Sequence, residues 1–316
     1  MPSLSCSRVC KGLLWEFHYS KFCLSYHDWR SFAFTPWVPY SLIYQLPYLI
    51  YRYILTIFFI VSIFITGFDP VNGEEKFFIF LTNWIFFAWT LYCTWSSISV
   101  TIMFIQVFAC RKEVEDIDLD INGGGPCNHE LLIDNRPAGC CGFAGNKLYW
   151  HQRILWVLYA AAIHTSIYVV ILFWGLLYDP DANFNYWSFV NLVTHLVTGV
   201  LAIIEIYLTG IPSRLLHFIY PLAFGVTWLV FSGIYYAAGG TNVSGRRYIY
   251  SVLDYMNHPG TAAALGLVSM IATIPLHVLI YFLFLSRELF LFLVGKHCSC
   301  CKPTQPRTDE EIELNN

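Results

Sequence analysis

Between Lys76 and Arg111 the chain carries no charged side chain. As an α-helix that interval is about 50 Å long, whereas the hydrocarbon core of a bilayer is only about 30 Å thick. A helix that is apolar on every face needs lipid, or a very large protein, around it. This segment is therefore expected to cross a membrane and to tilt or protrude. It opens at Phe77 and reaches about Val107, and five more stretches have the ~20 apolar residues of a crossing. They are Leu46 to Phe68, Ile154 to Leu177, Tyr186 to Leu208, Leu215 to Ala238 and Thr261 to Leu285. Composition agrees: 12% of residues are charged and 57% hydrophobic, where a globular domain carries about a quarter charged. The expected fold class is all-α, a polytopic bundle of six transmembrane helices. No internal repeat and no cleavable signal peptide is visible. A net charge of −3 gives no reason to expect nucleic acid as a partner.

An even number of crossings puts both termini on one side, and the positive-inside rule chooses the cytosol. Only Lys76, Arg246 and Arg247 of the 18 Lys and Arg then fall outside, with Arg52 and Arg287 read as edge residues that snorkel. The sequon Asn242-Val243-Ser244 falls in the last outer loop, where it is a glycosylation candidate. None of the 11 cysteines falls in an outer loop, which fits reduced thiols inside and no disulfide framework outside. The domain plan is a cytosolic N-terminal segment, 1–45, partly interfacial; a transmembrane domain, 46–294, with a flexible cytosolic loop at 111–151; and a disordered cytosolic tail, 295–316. Cys298, Cys300 and Cys301, beside Lys296 and Lys302, suit palmitoylation. Cys127, His129, Cys140 and Cys141 lack familiar zinc spacing. No metal and no cofactor is expected; there is no phosphate loop, no G-x-S-x-G and no H-E-x-x-H.

Polar side chains inside the spans are costly and mark candidate sites. Thr82 and Asn83 stand together in "FLTNW", about six residues below the outer edge of the second span, roughly 8 Å deep. A lone Thr often bonds only its own i−4 carbonyl, and a carboxamide often serves as interhelical glue. His195 lies in "NLVTHLVTGV", roughly 13 Å below the outer edge of the fourth span. Asn191 and Thr198 share its face, and Gly199 and Ala202 continue that face with small side chains. Both spans run inward, so Thr82 and His195 sit at similar height. Histidine is the usual base for a weak hydroxyl nucleophile, so the two form a candidate nucleophile–base pair. Asn191 or Asn83 would be orienter or oxyanion donor. His164 and His277 are secondary candidates, and Glu205 is expected to face Arg214 or interfacial water.

"FLTNW", the run from "NLVTHLVTGV" through "IYYAAGG", and "YIYSVLDY" resemble the Rolling stone family over most of the chain. That resemblance implies a multi-pass membrane protein with a role in myoblast fusion. A more distant resemblance, over the second to fifth spans, is to the androgen-induced and androgen-dependent TFPI-regulating proteins. It implies an intramembrane hydrolase of fatty-acid esters, with the threonine motif on Thr82 and the histidine motif on His195. Two functions follow. One is a lipid-ester hydrolase whose partners are membrane lipids; the other is a non-catalytic fusion, adhesion or scaffold protein of the plasma membrane or endoplasmic reticulum. A transporter fits poorly, for the spans hold no ladder of ionisable residues and no pair of broken helices.

Overall fold

A computed structural model describes residues 16–26, 29–68, 74–122, 148–177 and 188–297. The described residues contain helices and turns and no strand. Six helices are long and apolar enough to cross a membrane: α1, Leu42–Gly67; α2, Leu81–Ala109; α3, Trp150–Gly175; α4, Phe189–Leu208; α5, Leu215–Ala237; and α6, Pro259–Val294. They coincide with the six expected stretches. Helix α2 continues to Asn122, into the segment read from sequence as loop. Cys127, His129, Cys140, Cys141, Cys298, Cys300 and Cys301 lie outside the described residues.

Helix α3 is central and packs against α2, α4, α5 and α6. Its buried face carries Ala161, Ala162 and Ser166, and small side chains let neighbouring backbones approach where no hydrophobic force distinguishes helix from lipid. Trp89 of α2 closes this contact. Its indole donates to Ser166 Oγ at 2.5 Å and stacks on Phe59 of α1, ring centroids 4.9 Å apart.

Three charged residues are placed differently from the sequence expectation. Arg52 and Arg287 do not snorkel; both are buried. Arg52 donates to Glu205 Oε2 at 2.8 Å and to the hydroxyls of Tyr48 (2.5 Å) and Tyr92 (3.2 Å). Tyr51 and Tyr92 donate in turn to Glu205, at 2.6 and 2.5 Å. Glu205 thus faces Arg52 and not Arg214. A buried charge persists only when paired and hydrogen-bonded, and five side chains from α1, α2 and α4 meet that condition together. Arg287 donates to the carbonyls of Ile206, Thr209 and Ile211, satisfying acceptors that the end of α4 leaves open.

The same helix end is covered by the N-terminal segment. Phe32, Ala33 and Phe34 are buried. Thr35 Oγ1 donates to the Leu208 carbonyl at 2.7 Å and the Trp37 indole to the Tyr207 carbonyl at 2.6 Å. Gln45, at the start of α1, both accepts from Thr35 N and donates to its carbonyl. Arg214 donates to the carbonyls of Cys23 and Ser25. This face of the bundle is its N-terminal end. The opposite face, its loop end, holds a 3₁₀ segment at Glu74–Ile79 and the 238–258 loop.

Candidate functional site

Thr82 and Asn83 lie at the very start of α2. They are the second and third residues of α2, because Glu74–Ile79 folds as a separate 3₁₀ segment. The first turn of the helix reaches back to that segment. Asn83 Nδ2 donates to the Phe77 carbonyl at 2.7 Å, and the Trp84 indole to the Phe78 carbonyl at 2.7 Å. In this role the carboxamide fastens a chain reversal against lipid, where unpaired carbonyls are costly. Asn83 therefore bonds to backbone. Thr82, beside it, turns its hydroxyl toward α4.

There it meets His195: Thr82 Oγ1 and His195 Nε2 are 3.2 Å apart. Thr82 is buried and His195 half-buried. His195 sits in a π-helical turn, Val193–Val197, and α3 has its own π turn opposite, Phe173–Leu177. Such widened turns recur at functional sites because they re-aim one side chain without breaking the helix. Here they bring Phe173 onto the imidazole, centroids 3.7 Å apart and planes 18° from parallel. The Trp174 indole donates to the His195 carbonyl at 3.1 Å, steadying the loosened ladder. Close approach of α3 and α4 is set one turn on by Gly199, where an added Cβ would lie 2.6 Å from Val170 Cγ2.

The network around His195 selects its tautomer. Nδ1 lies 3.3 Å from the Asn191 carbonyl oxygen and 3.0 Å from Thr194 Oγ1. The Thr194 hydroxyl donates its own proton to the Val190 carbonyl at 2.8 Å, so toward Nδ1 it is an acceptor. Facing two acceptors, Nδ1 carries the hydrogen. Nε2 is left with its lone pair directed at the Thr82 hydroxyl, the state in which an imidazole accepts a proton. The orienting acceptor is thus the main-chain carbonyl of Asn191; its i−4 position puts that oxygen under the ring.

A third group was not singled out in sequence. Tyr250, from the loop after α5, borders the same space as Thr82. Burial pushes the pKa of its hydroxyl up to about 12. Its ring is held between Trp228 and Phe80, with centroids 5.7 and 5.8 Å away. Nothing in "YIYSVLDY" separates Tyr250 from Tyr248 or Tyr255, and only the path of the loop does so. That loop starts at Gly239, whose φ of 81° closes α5 in the left-handed region that glycine enters freely. It is tied down by Lys76, which donates to Thr241 Oγ1 and the Asn242 carbonyl at 2.8 and 2.7 Å.

Thr82 and Tyr250 both line a partly open cavity of about 140 Å³ bounded by α2, α3, α5 and α6. Its walls are mainly apolar, among them Leu81, Val169, Leu229 and Met270, and it extends toward His164 and Thr273. Phe173 and Thr82 stand between His195 and this space. His164 Nε2 donates to the Thr273 carbonyl (3.1 Å), and His277 Nε2 donates to the Arg214 carbonyl (2.8 Å). Neither bond involves the Thr82–His195 pair. Among the described residues no His, Cys, Asp and Glu cluster has metal-site geometry.

Asn242 lies in the 238–258 loop, its Oδ1 accepting from Ser244 N (3.0 Å) and Arg246 N (2.9 Å). The sequon is therefore an Asx-type turn at the loop end of the bundle.

The chain is similar to known proteins over much of its length. A family model described as Protein rolling stone matches residues 143–298, a range that holds His195 and Tyr250 and begins after Thr82. Protein rolling stone of Drosophila melanogaster is 25% identical over 248 residues, 78% of this chain and 80% of that protein. No solved structure matches. The chain is a multi-pass membrane protein similar to the rolling stone family.

Proposed function

We propose that this protein hydrolyses lipid esters within the bilayer, with Thr82 as nucleophile and His195 as general base. One observation carries the reading: a threonine hydroxyl 3.2 Å from the unprotonated nitrogen of an imidazole, at the wall of an apolar cavity. A hydroxyl is a poor nucleophile until a positioned base takes its proton. Thr82 Oγ1 bonds to the ester carbonyl carbon as its proton passes to His195 Nε2. The imidazolium then protonates the departing alkoxide. Water, activated by the same base, releases the acid and restores Thr82. The distant resemblance to intramembrane threonine hydrolases supports the same assignment.

In this reading the loop end faces outward, both termini are cytosolic, Asn242 carries an N-glycan, and the protein resides in the plasma membrane or endoplasmic reticulum. Its partners are membrane lipids. A role in myoblast fusion, which the family resemblance implies, is served by altering local lipid composition. A fluorophosphonate probe on membranes of expressing cells tests the chemistry. Wild type labels, whereas Thr82→Ala and His195→Ala reach the membrane and each lose at least about 10²-fold of the signal, as expected when members of one catalytic unit are removed.

A second reading, a non-catalytic fusion or scaffold protein, has its own support. A Thr–His bond between helices is also ordinary interhelical glue in lipid. It predicts equal labelling of all three proteins, or none.

A further inference from the structure

The cavity beside Thr82 owes its room to glycine. Gly225 of α5 lines it, and so do Pro221, Leu222, Trp228 and Leu229. Those four stand three or four places to either side of Gly225, and residues so spaced share one helix face. Gly225 is therefore at the middle of the face that α5 turns to the space. A Cβ on Gly225 would meet nothing within 4 Å. On α6, Gly266 also lines the cavity, and a Cβ there would lie 3.1 Å from Leu229 Cδ2. Leu229 is thus the wall where α5 and α6 approach. Along α3 the lining runs from Phe173, which stacks on His195, to His164, roughly 13 Å of helix. At that end His164 Nε2 donates to the Thr273 carbonyl, joining α3 to α6. An elongated apolar space with a hydroxyl nucleophile on its wall suits a hydrocarbon chain whose carbonyl lies at that hydroxyl.

We propose that this cavity is the acyl site, that it seats about the first six carbons of the chain beyond the scissile carbonyl, and that Gly225 keeps it open to them. The inference rests on the hydrolase reading and names the part of the ester that the site holds. An apolar cavity of about 150 Å³ takes up benzene, which has six carbons; at about 140 Å³ this one is of similar size. Longer chains continue through its open side into lipid. Lipid tails are as apolar as the cavity walls, so carbons beyond the opening gain nothing from the protein. The acyl group is also the part that stays. Thr82 Oγ1 bonds to the carbonyl carbon, and the alkoxide leaves with the proton that His195 took from Thr82. Water then adds its oxygen to the acyl carbon and returns a proton, through His195, to Thr82. The acyl chain is attached beside the cavity until that second step, whereas the alcohol has to move away after the first.

The test uses the full chain, purified in detergent, with p-nitrophenyl esters of acetate, butyrate, hexanoate, octanoate and decanoate. In wild type kcat/KM is expected to rise about fourfold per methylene, the gain from burying one, and to level near octanoate. Gly225→Leu puts an isobutyl group into the space. It is expected to end the rise at butyrate and to lower the hexanoate-to-acetate ratio at least about tenfold. Leu229→Ala widens the same space and is expected to carry the rise to longer chains. Opposite shifts separate a steric limit from general damage. Gly225→Ala, with a smaller shift toward short chains, stands in if Gly225→Leu does not accumulate as a monodisperse protein. Acetate esters of alcohols of rising length, followed by acid release, form the second arm. Wild type and the Gly225 variant are expected to give the same profile there. Acyl profiles unchanged in the Gly225 variant and in Leu229→Ala, or a shift confined to the alcohol series, overturn the acyl site and leave the Thr82–His195 reading intact. A wild-type protein that neither turns over ester nor labels at Thr82 with the fluorophosphonate overturns both.

Discussion

At the scale of single residues, the polar groups inside this bundle divide by what they bond. Asn83 and Trp84 bond to main-chain carbonyls, and Arg287 does the same at the other end of the molecule. Arg52 and Glu205 bond to each other and to three tyrosines. Thr82 and His195 bond side chain to side chain, with the imidazole hydrogen fixed on its far nitrogen. The Arg52 network makes a sharp prediction, because losing one member leaves an uncompensated charge in a low-dielectric interior. Arg52→Met is expected to destabilise the protein by about 3–5 kcal/mol. Arg52→Met combined with Glu205→Met is expected to recover most of that. Thermal unfolding of the detergent-solubilised protein, followed by size-exclusion fluorescence, measures both. A double variant no more stable than the single one would mean that the network is not an ion pair in energetic terms.

At the scale of helices, much was legible in sequence and some was not. All six spans follow from apolar length alone, since lipid demands about 20 residues from each. The meeting of Thr82 and His195 was readable only as similar height on two spans running in the same direction. Their contact depends on two π turns and on a 3₁₀ break before Leu81, none of which leaves a periodic signature. For the same reason Phe77–Phe80 looks like continuous helix in sequence but is a separate folded-back turn. Arg52 and Arg287 were misread as snorkelling because sequence gives a charge near a helix end no partner to face. Tyr250 was missed because loop path is not encoded in composition. The N-terminal segment docks through a contact that only glycine permits. A Cβ on Gly210 would lie 2.7 Å from the Ser31 carbonyl oxygen and 2.9 Å from its Cα. Gly210→Ala is expected to cost about 1–3 kcal/mol and to make residues 16–40 more susceptible to limited proteolysis. Unchanged proteolysis and stability would show that the segment is not seated there.

On the scale of the whole molecule, the two ends of the bundle have different work. The N-terminal end is closed by residues that cap α4 and by the Arg52–Glu205 network beneath them. The loop end carries the Thr82–His195 pair and the Tyr250 loop beside one cavity, and it also carries the sequon. An orientation with the loop end outside predicts one N-glycan, removed by endoglycosidase treatment of intact microsomes only after they are opened, and absent from Asn242→Gln. A protein whose mobility never responds to the enzyme would contradict that orientation. The central claim, that Thr82 is made nucleophilic by His195, is tested most directly by mapping where a fluorophosphonate attaches. Digestion and mass spectrometry of labelled wild type should find the adduct on Thr82, and the same peptide from His195→Ala should be unmodified. An adduct on any other residue, or on Thr82 to the same extent without His195, would contradict it.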